Sequence, residues 1–131
     1  MIECAILLEA RYPAKNIFRS YFITARYDLF ERLVVEVTHG RIGARGKSST
    51  FHPSSEQEAF DYITTLLQRR ASAFQRLGTS YTLKYYSGRW NMDEALFPFR
   101  QTLLFEDALS TSEKKLSSVK EIIKEGEGLF G

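Results

Sequence analysis

The stretch Thr38-His39-Gly40-Arg41-Ile42-Gly43-Ala44-Arg45-Gly46-Lys47 sets three glycines among three fixed-sign cations, directly behind the run Leu33-Val34-Val35-Glu36-Val37. Valine-rich chain is strand chemistry, and glycine can leave a strand by taking positive φ at little steric cost. These ten residues therefore read as the exit of a β-strand into a tight basic turn. Glycines also admit a second backbone at close range, so cations spaced by them can converge on one phosphate or carboxylate. The turn nominates His39, Gly40, Arg41, Arg45 and Lys47 for anion contact.

Upstream, Asn16 to Tyr27 alternates Phe18, Ser20, Phe22 and Thr24 with Arg19, Tyr21, Ile23 and Ala25, a β-rich pattern that Asp28-Leu29-Phe30-Glu31-Arg32 interrupts before Leu33 to Thr38 resumes it. The two runs predict an antiparallel pair joined by a short loop. In such a pair the start of one strand lies beside the end of the other, which carries Lys15 and Arg19 toward the basic turn. Downstream, Lys47 to Phe51 is short enough to return as a third strand, and His52-Pro53 stops it.

A helix follows. Ser55 with Glu58 makes a capping box, and Ala59, Phe60, Ile63, Leu66, Leu67, Ala71 and Phe74 recur at helical spacing. This predicts a helix from Glu56 to about Gln75, roughly 30 Å long, broken at Gly78. Arg69 and Arg70 lie near its C-terminus, where cations complement the helix dipole, and Arg69 joins Arg19 as a second source of cations for the anion site. Ser80 to Tyr86 is again β-rich and closes the sheet. The order is strand, strand, strand, helix, strand.

Composition bounds the rest. A chain of 131 residues, 44% hydrophobic and 14% aromatic, is long enough for one real core. Its single cysteine, Cys4, excludes an intramolecular disulfide and a Cys-x-x-Cys metal pair, which favours a reducing cytoplasmic compartment. The apolar run Ala5 to Leu8 sits between Glu3 and Glu9 without a basic leader, so it does not read as an export signal, and no run approaches the ~20 residues of a membrane helix. The net charge of +2 hides an asymmetry: residues 1–84 hold 12 Lys/Arg against 8 Asp/Glu, and residues 85–131 hold 6 against 8. The basic part contains the turn.

These residues resemble a known family, the WGR domains, named for a Trp-Gly-Arg triplet. The resemblance rests on Asn16-Ile17-Phe18-Arg19-Ser20-Tyr21, on Asp28-Leu29-Phe30, on His39-Gly40-Arg41-Ile42-Gly43-Ala44-Arg45-Gly46, and on Phe51 followed by the Glu58-Ala59 helix, over roughly residues 10–84. It implies an α+β fold, a twisted antiparallel sheet with one long helix packed across it. WGR domains occur in DNA-dependent poly(ADP-ribose) polymerases, in bacterial regulators and as small stand-alone bacterial proteins, which this chain looks like. In the polymerases the domain touches DNA near a strand end and contacts neighbouring domains, so the resemblance implies a nucleic-acid partner. Here His39 stands at the motif's tryptophan, replacing the indole by a smaller ring that can pair with phosphate when protonated.

Residues 1–87 are expected to form the WGR-like domain and 88–131 a partly helical C-terminal extension. In the extension, Trp90 reads as a packing anchor, Pro98 divides an apolar-acidic segment, and Ser110-Thr111-Ser112 caps a helix from Glu113 to Glu125 striped with Leu116, Val119, Ile122 and Ile123. That stripe could dock on the sheet, on a protein partner or on a second protomer. No nucleophile elbow, phosphate loop or metal motif is present, and the chain is expected to be non-catalytic and to need no cofactor. Two readings remain: a nucleic-acid-binding module, and a protein-interaction or assembly module in which the Gly-Arg turn is purely structural.

Overall fold

The computed structural model describes residues 2–100. Within them, residues 2–91 make one compact unit. Its strands are β1 (Ile2–Tyr12), β2 (Ile17–Tyr27), β3 (Leu33–Arg41), β4 (Lys47–Phe51) and β5 (Thr82–Ser87), with helices α1 (Glu56–Ala71) and α2 (Phe74–Leu77) between β4 and β5. The sheet is antiparallel throughout, in the order β4-β3-β2-β1-β5. The expected α+β class stands, with five strands instead of four.

The additional strand is β1, which sequence reading left as a bare apolar run. Cys4, Ala5, Ile6, Leu8 and Ala10 are all buried, because β1 is paired on both edges, with β2 and β5. A strand buried on consecutive positions loses the period of two by which strands are recognised. A one-turn 3-10 segment (Pro13–Lys15) and Asn16, at φ 56°, carry β1 into β2.

One side of the sheet carries α1. Ile6, Leu8, Ile23, Val35 and Val37 meet the α1 stripe of Ala59, Ile63, Leu66 and Leu67, all of them buried. Fully burying one such aliphatic side chain contributes about 1.5–3 kcal/mol. The expected stripe is shortened at its C-terminal end. α1 stops at Ala71, the chain re-enters a helix only at Phe74, and the change of phase leaves Phe74 60% exposed and buries Ala73 instead. Gly78, at φ 82°, ends α2 as expected.

At the start of α1 the capping box forms with one change. The Ser55 hydroxyl accepts from Glu58 N–H at 3.0 Å, but the Glu58 carboxylate reaches past Ser55 to Ser54, accepting from its N–H at 2.6 Å and its hydroxyl at 2.9 Å. Nearby, the carboxylate of Glu3, 1% exposed, is ion-paired with Arg89. Arg89 also donates to Glu56 at 2.9 Å, and Glu56 accepts from the Tyr27 hydroxyl at 2.6 Å. Backbone N–H groups of Arg89 and Trp90 donate to the Glu3 carbonyl, and Trp90 is buried.

The two hairpins that follow β2 differ in kind. Between β2 and β3, Asp28 accepts from the N–H groups of Arg32 and Phe30 and from the Arg32 guanidinium at 2.8–3.0 Å, which pins a loop whose Leu29 and Phe30 are 98% and 76% exposed. Between β3 and β4, the strand persists through His39-Gly40-Arg41, so the turn proper is residues 42–46. Gly43 and Gly46 supply the expected positive φ (88° and 76°), whereas Gly40 does not. Gly40 is there for space: a Cβ on it would lie 2.7 Å from Gly46 Cα, and one on Gly46 would lie 2.6 Å from the His39 carbonyl oxygen.

Residues 93–100 are helical, so Pro98 does not interrupt the chain there as expected. Pro98 is the sixth residue of that helix, past the first turn, so the helix continues there without the hydrogen bond a backbone N–H would make to the Glu94 carbonyl. The helix expected over Glu113 to Glu125, with its caps at Ser110-Thr111-Ser112, lies outside the described residues.

Two stability predictions follow from the turns and caps. Gly43→Ala, at positive φ in open space, should cost about 1 kcal/mol in urea unfolding, and Gly46→Ala, at positive φ and against a carbonyl, about 3 kcal/mol. Equal losses would contradict the close approach. Hydrogen bonds from Arg32 N–H to Asp28, and from Ser54 N–H to Glu58, hold both carboxyls below their ordinary range. A carboxyl lowered in the folded state binds fewer protons than in the unfolded chain, so its contribution is full above the unfolded value of about 4 and is lost as pH falls through the folded one. Denaturant melts between pH 5 and pH 2, read as approximate bounds for that window, should show a shallower acid loss in Asp28→Asn and Glu58→Gln than in the parent chain; an unchanged slope would remove these groups from the acid transition.

Candidate nucleic-acid interface

The pairing of β2 with β3 sets Arg19 opposite Arg41, Ser20 opposite Gly40 and Tyr21 opposite His39, and β3 with β4 sets His39 opposite Lys47. Antiparallel partners share a face of the sheet, so Tyr21 and His39 stand side by side with ring centroids 6.2 Å apart. The C-terminal turn of α1 lays Arg70 over Tyr21, its guanidinium carbon 4.3 Å from the ring centroid, and Tyr81 meets the same ring edge-on at 6.4 Å.

Around these residues the surface opens into a cleft of about 470 Å³, lined by Asn16, Ile17, Phe18, Arg19, Tyr21, His39, Gly40, Arg41, Arg70 and Tyr81. Of the expected set, Arg19, His39, Gly40 and Arg41 are in its wall. Lys47 is one strand away, paired with His39, and Arg45 is exposed in the 42–46 loop; neither lines the cleft. Arg69 is exposed on α1 outside it, with its carbonyl accepting from Ser72 and Arg76.

Arg41 is held in place. Its guanidinium lies 4.8 Å over the Phe18 ring and donates to the Asn16 side-chain oxygen at 3.1 Å and to the Asn16 carbonyl at 3.4 Å. Among the described residues it clamps no acidic side chain. Ile42 N–H donates to the Phe18 carbonyl at 2.9 Å, extending the β2–β3 ladder past the cleft floor.

The electrostatics of the wall are one-sided. Among the described residues it contains three arginines and a histidine and no Asp or Glu. Elsewhere among the described residues, Arg11, Arg32, Arg89 and Arg100 each meet a carboxylate: Glu9, Asp28, Glu3 with Glu56, and Asp93. Burial pushes the Tyr21 hydroxyl above its ordinary range, and Arg70 beside it partly offsets the rise. Tyr21 therefore stays neutral and leaves the charge of the cleft to the cations.

Sequence reading nominated Arg69, whereas Arg70 enters the cleft, and the helical spacing contains the reason. Arg70 follows Leu66 by four and Leu67 by three, so it continues the sheet-facing stripe, while Arg69 falls on the solvent side. Phe18, Tyr21 and Tyr81 were read only as strand residues, since a ring that braces a cation has no local signature.

Cys4 is buried in β1 and its thiol is pushed up to about 12 by desolvation, which leaves it protonated at neutral pH. Among the described residues no cluster of His, Cys, Asp and Glu could hold a metal ion, and no helix is long and apolar enough to cross a membrane.

No curated protein and no solved structure matches the chain. A family model described as the WGR domain matches residues 5–79, from β1 to the residue after Gly78, and so spans every strand but β5 together with both helices. With more than half of the 131 residues inside that match, the chain belongs to the WGR domain family.

Proposed function

We propose that this chain is a non-catalytic module that binds nucleic acid by its phosphates, with the cleft as the centre of the grip and the 42–46 hairpin beside it. The observation that carries the reading is the make-up of the cleft wall: among the described residues it gathers Arg19, Arg41, Arg70 and His39 and includes no carboxylate. Arginine offers planar forks of donors suited to phosphate oxygens, and an acid-free wall keeps those forks available. Arg19 and Arg41 act from the cleft, and Arg45 and Lys47 extend the positive surface along the hairpin. His39 supplies an exposed ring and, when protonated, a further charge. Gly40 contributes by letting the hairpin close.

Fluorescence anisotropy with duplex, nicked and single-stranded oligonucleotides tests this directly. Three or four phosphate contacts give a slope of about −3 in log K against log salt on duplex DNA. Arg41→Ala and Arg45→Ala should each weaken binding and make that slope shallower by about 1. If no form binds at low salt, or if both variants bind like the parent chain, the phosphate reading is wrong.

A protein-contact reading keeps one specific support, the exposed Leu29-Phe30 pair on its pinned loop. Leu29→Ser with Phe30→Ser should leave oligonucleotide binding unchanged; a loss there would move the interface to the β2–β3 loop.

A further inference from the structure

We infer that the cleft is an arginine clamp for a single phosphate group, in which Arg70 from α1 works with Arg19 and Arg41 from the sheet, and Tyr21 and Phe18 are positioning residues for the guanidiniums. This rests on the phosphate reading above and adds a residue from another element and a mechanism of preorganisation.

The geometry of a stacked guanidinium carries the inference. Its N–H donors radiate in the plane of the group, whereas an aromatic ring contacts its face. Stacking therefore fixes the orientation of an arginine without consuming its donors. In the cleft two guanidinium groups lie over aromatic rings, the Arg70 carbon 4.3 Å from the Tyr21 centroid and the Arg41 carbon 4.8 Å from that of Phe18. Arg41 is fixed further by Asn16, which takes two donors and leaves the rest of the fork. Arg70 has its Nε buried without a hydrogen-bond partner, so its terminal nitrogens are the ones left to reach a ligand. The supporting rings are themselves set by the sheet: Tyr21 is buried against Tyr81, and Phe18 is tied through its carbonyl to Ile42.

Two immobilised forks cost less entropy to engage than two free side chains, and they favour a group with several oxygens in fixed geometry. Phosphate is such a group. It can come from a nucleic-acid backbone or from a free phosphorylated small molecule, and a cleft of about 470 Å³ admits a phosphate from either source.

Titration of the full chain with inorganic pyrophosphate, AMP and a short DNA duplex, followed by amide chemical shifts and by affinity, separates these sources. Pyrophosphate should shift the amides of His39, Gly40 and Arg70. Arg70→Ala should weaken every ligand that binds by about tenfold, and Arg69→Ala by less than about twofold, although each removes one cation from adjacent positions. Arg70→Lys keeps the charge and loses the planar fork, so it should weaken binding by about fivefold or more. Phe18→Leu, which is remote from α1 and keeps an apolar side chain, should also weaken binding while leaving the number of phosphate contacts, and hence the salt slope on the duplex, unchanged.

Equal effects of Arg69→Ala and Arg70→Ala would overturn the clamp in favour of a diffuse positive field, as would parent-like binding by Arg70→Lys or no response to pyrophosphate. Pyrophosphate or AMP binding that depends on Arg70, with no binding of any oligonucleotide, would sustain the clamp and sink the nucleic-acid reading. DNA binding that ignores Arg70 would do the reverse.

Discussion

A carboxylate with 1% of its surface exposed has to be answered, and the answer given to Glu3 organises the unit. Its charge is met by Arg89, its carbonyl by the N–H groups of Arg89 and Trp90, and Arg89 continues to Glu56 and so to Tyr27. One cluster thereby joins the first strand, the second strand, the first turn of α1 and the chain leaving the last strand. The contact is close enough that Gly88, at φ 124°, admits no side chain: a Cβ there would lie 2.4 Å from the Glu3 carbonyl oxygen. Removing one partner of a buried ion pair leaves an uncompensated charge, so the cluster is intolerant of piecemeal change even where the net contribution of the pair is small.

Fixing the N-terminal end of α1 in this way also fixes where its other end falls. The helix crosses the sheet as one rigid piece, so its last turn arrives beside the point in the β2–β3 ladder where Tyr21 and His39 pair. Arg70 is delivered there by the same stripe that buries Ile63 and Leu67. The site is a product of the core, and the hairpin supplies only part of it.

This explains what could be read from the residues and what could not. Alternation in β2, the valine run of β3, the Ser55–Glu58 cap and the two positive-φ glycines are local signals, and each corresponds to an element that forms. β1 gave no such signal, because burial on both faces erases the alternation that marks a strand. Phe74 was misplaced because a change of helical phase after Ala71 depends on tertiary packing. Gly40 looked like its neighbours in the turn, yet its requirement is the passage of Gly46, a contact six residues away. In the cleft, the strand cations were legible from the pairing of β2 with β3. The distinction between Arg69 and Arg70 lay in the helical period, but a cation at a helix end has a second explanation in the dipole, which hides the first.

The position of the cleft at the C-terminal end of α1 resolves a further difficulty, how positive side chains gather without an acid to balance them. The last carbonyls of a helix carry the equivalent of about half a negative charge. Those carbonyls belong to the backbone and cannot swing across the opening. A glutamate in the same place would have eased the repulsion equally well, but it would have competed for the guanidinium donors on which the proposed phosphate contact depends. Counter-charge drawn from the main chain would leave the cleft guanidiniums uncontested by any carboxylate among the described residues, as the proposed phosphate contact requires.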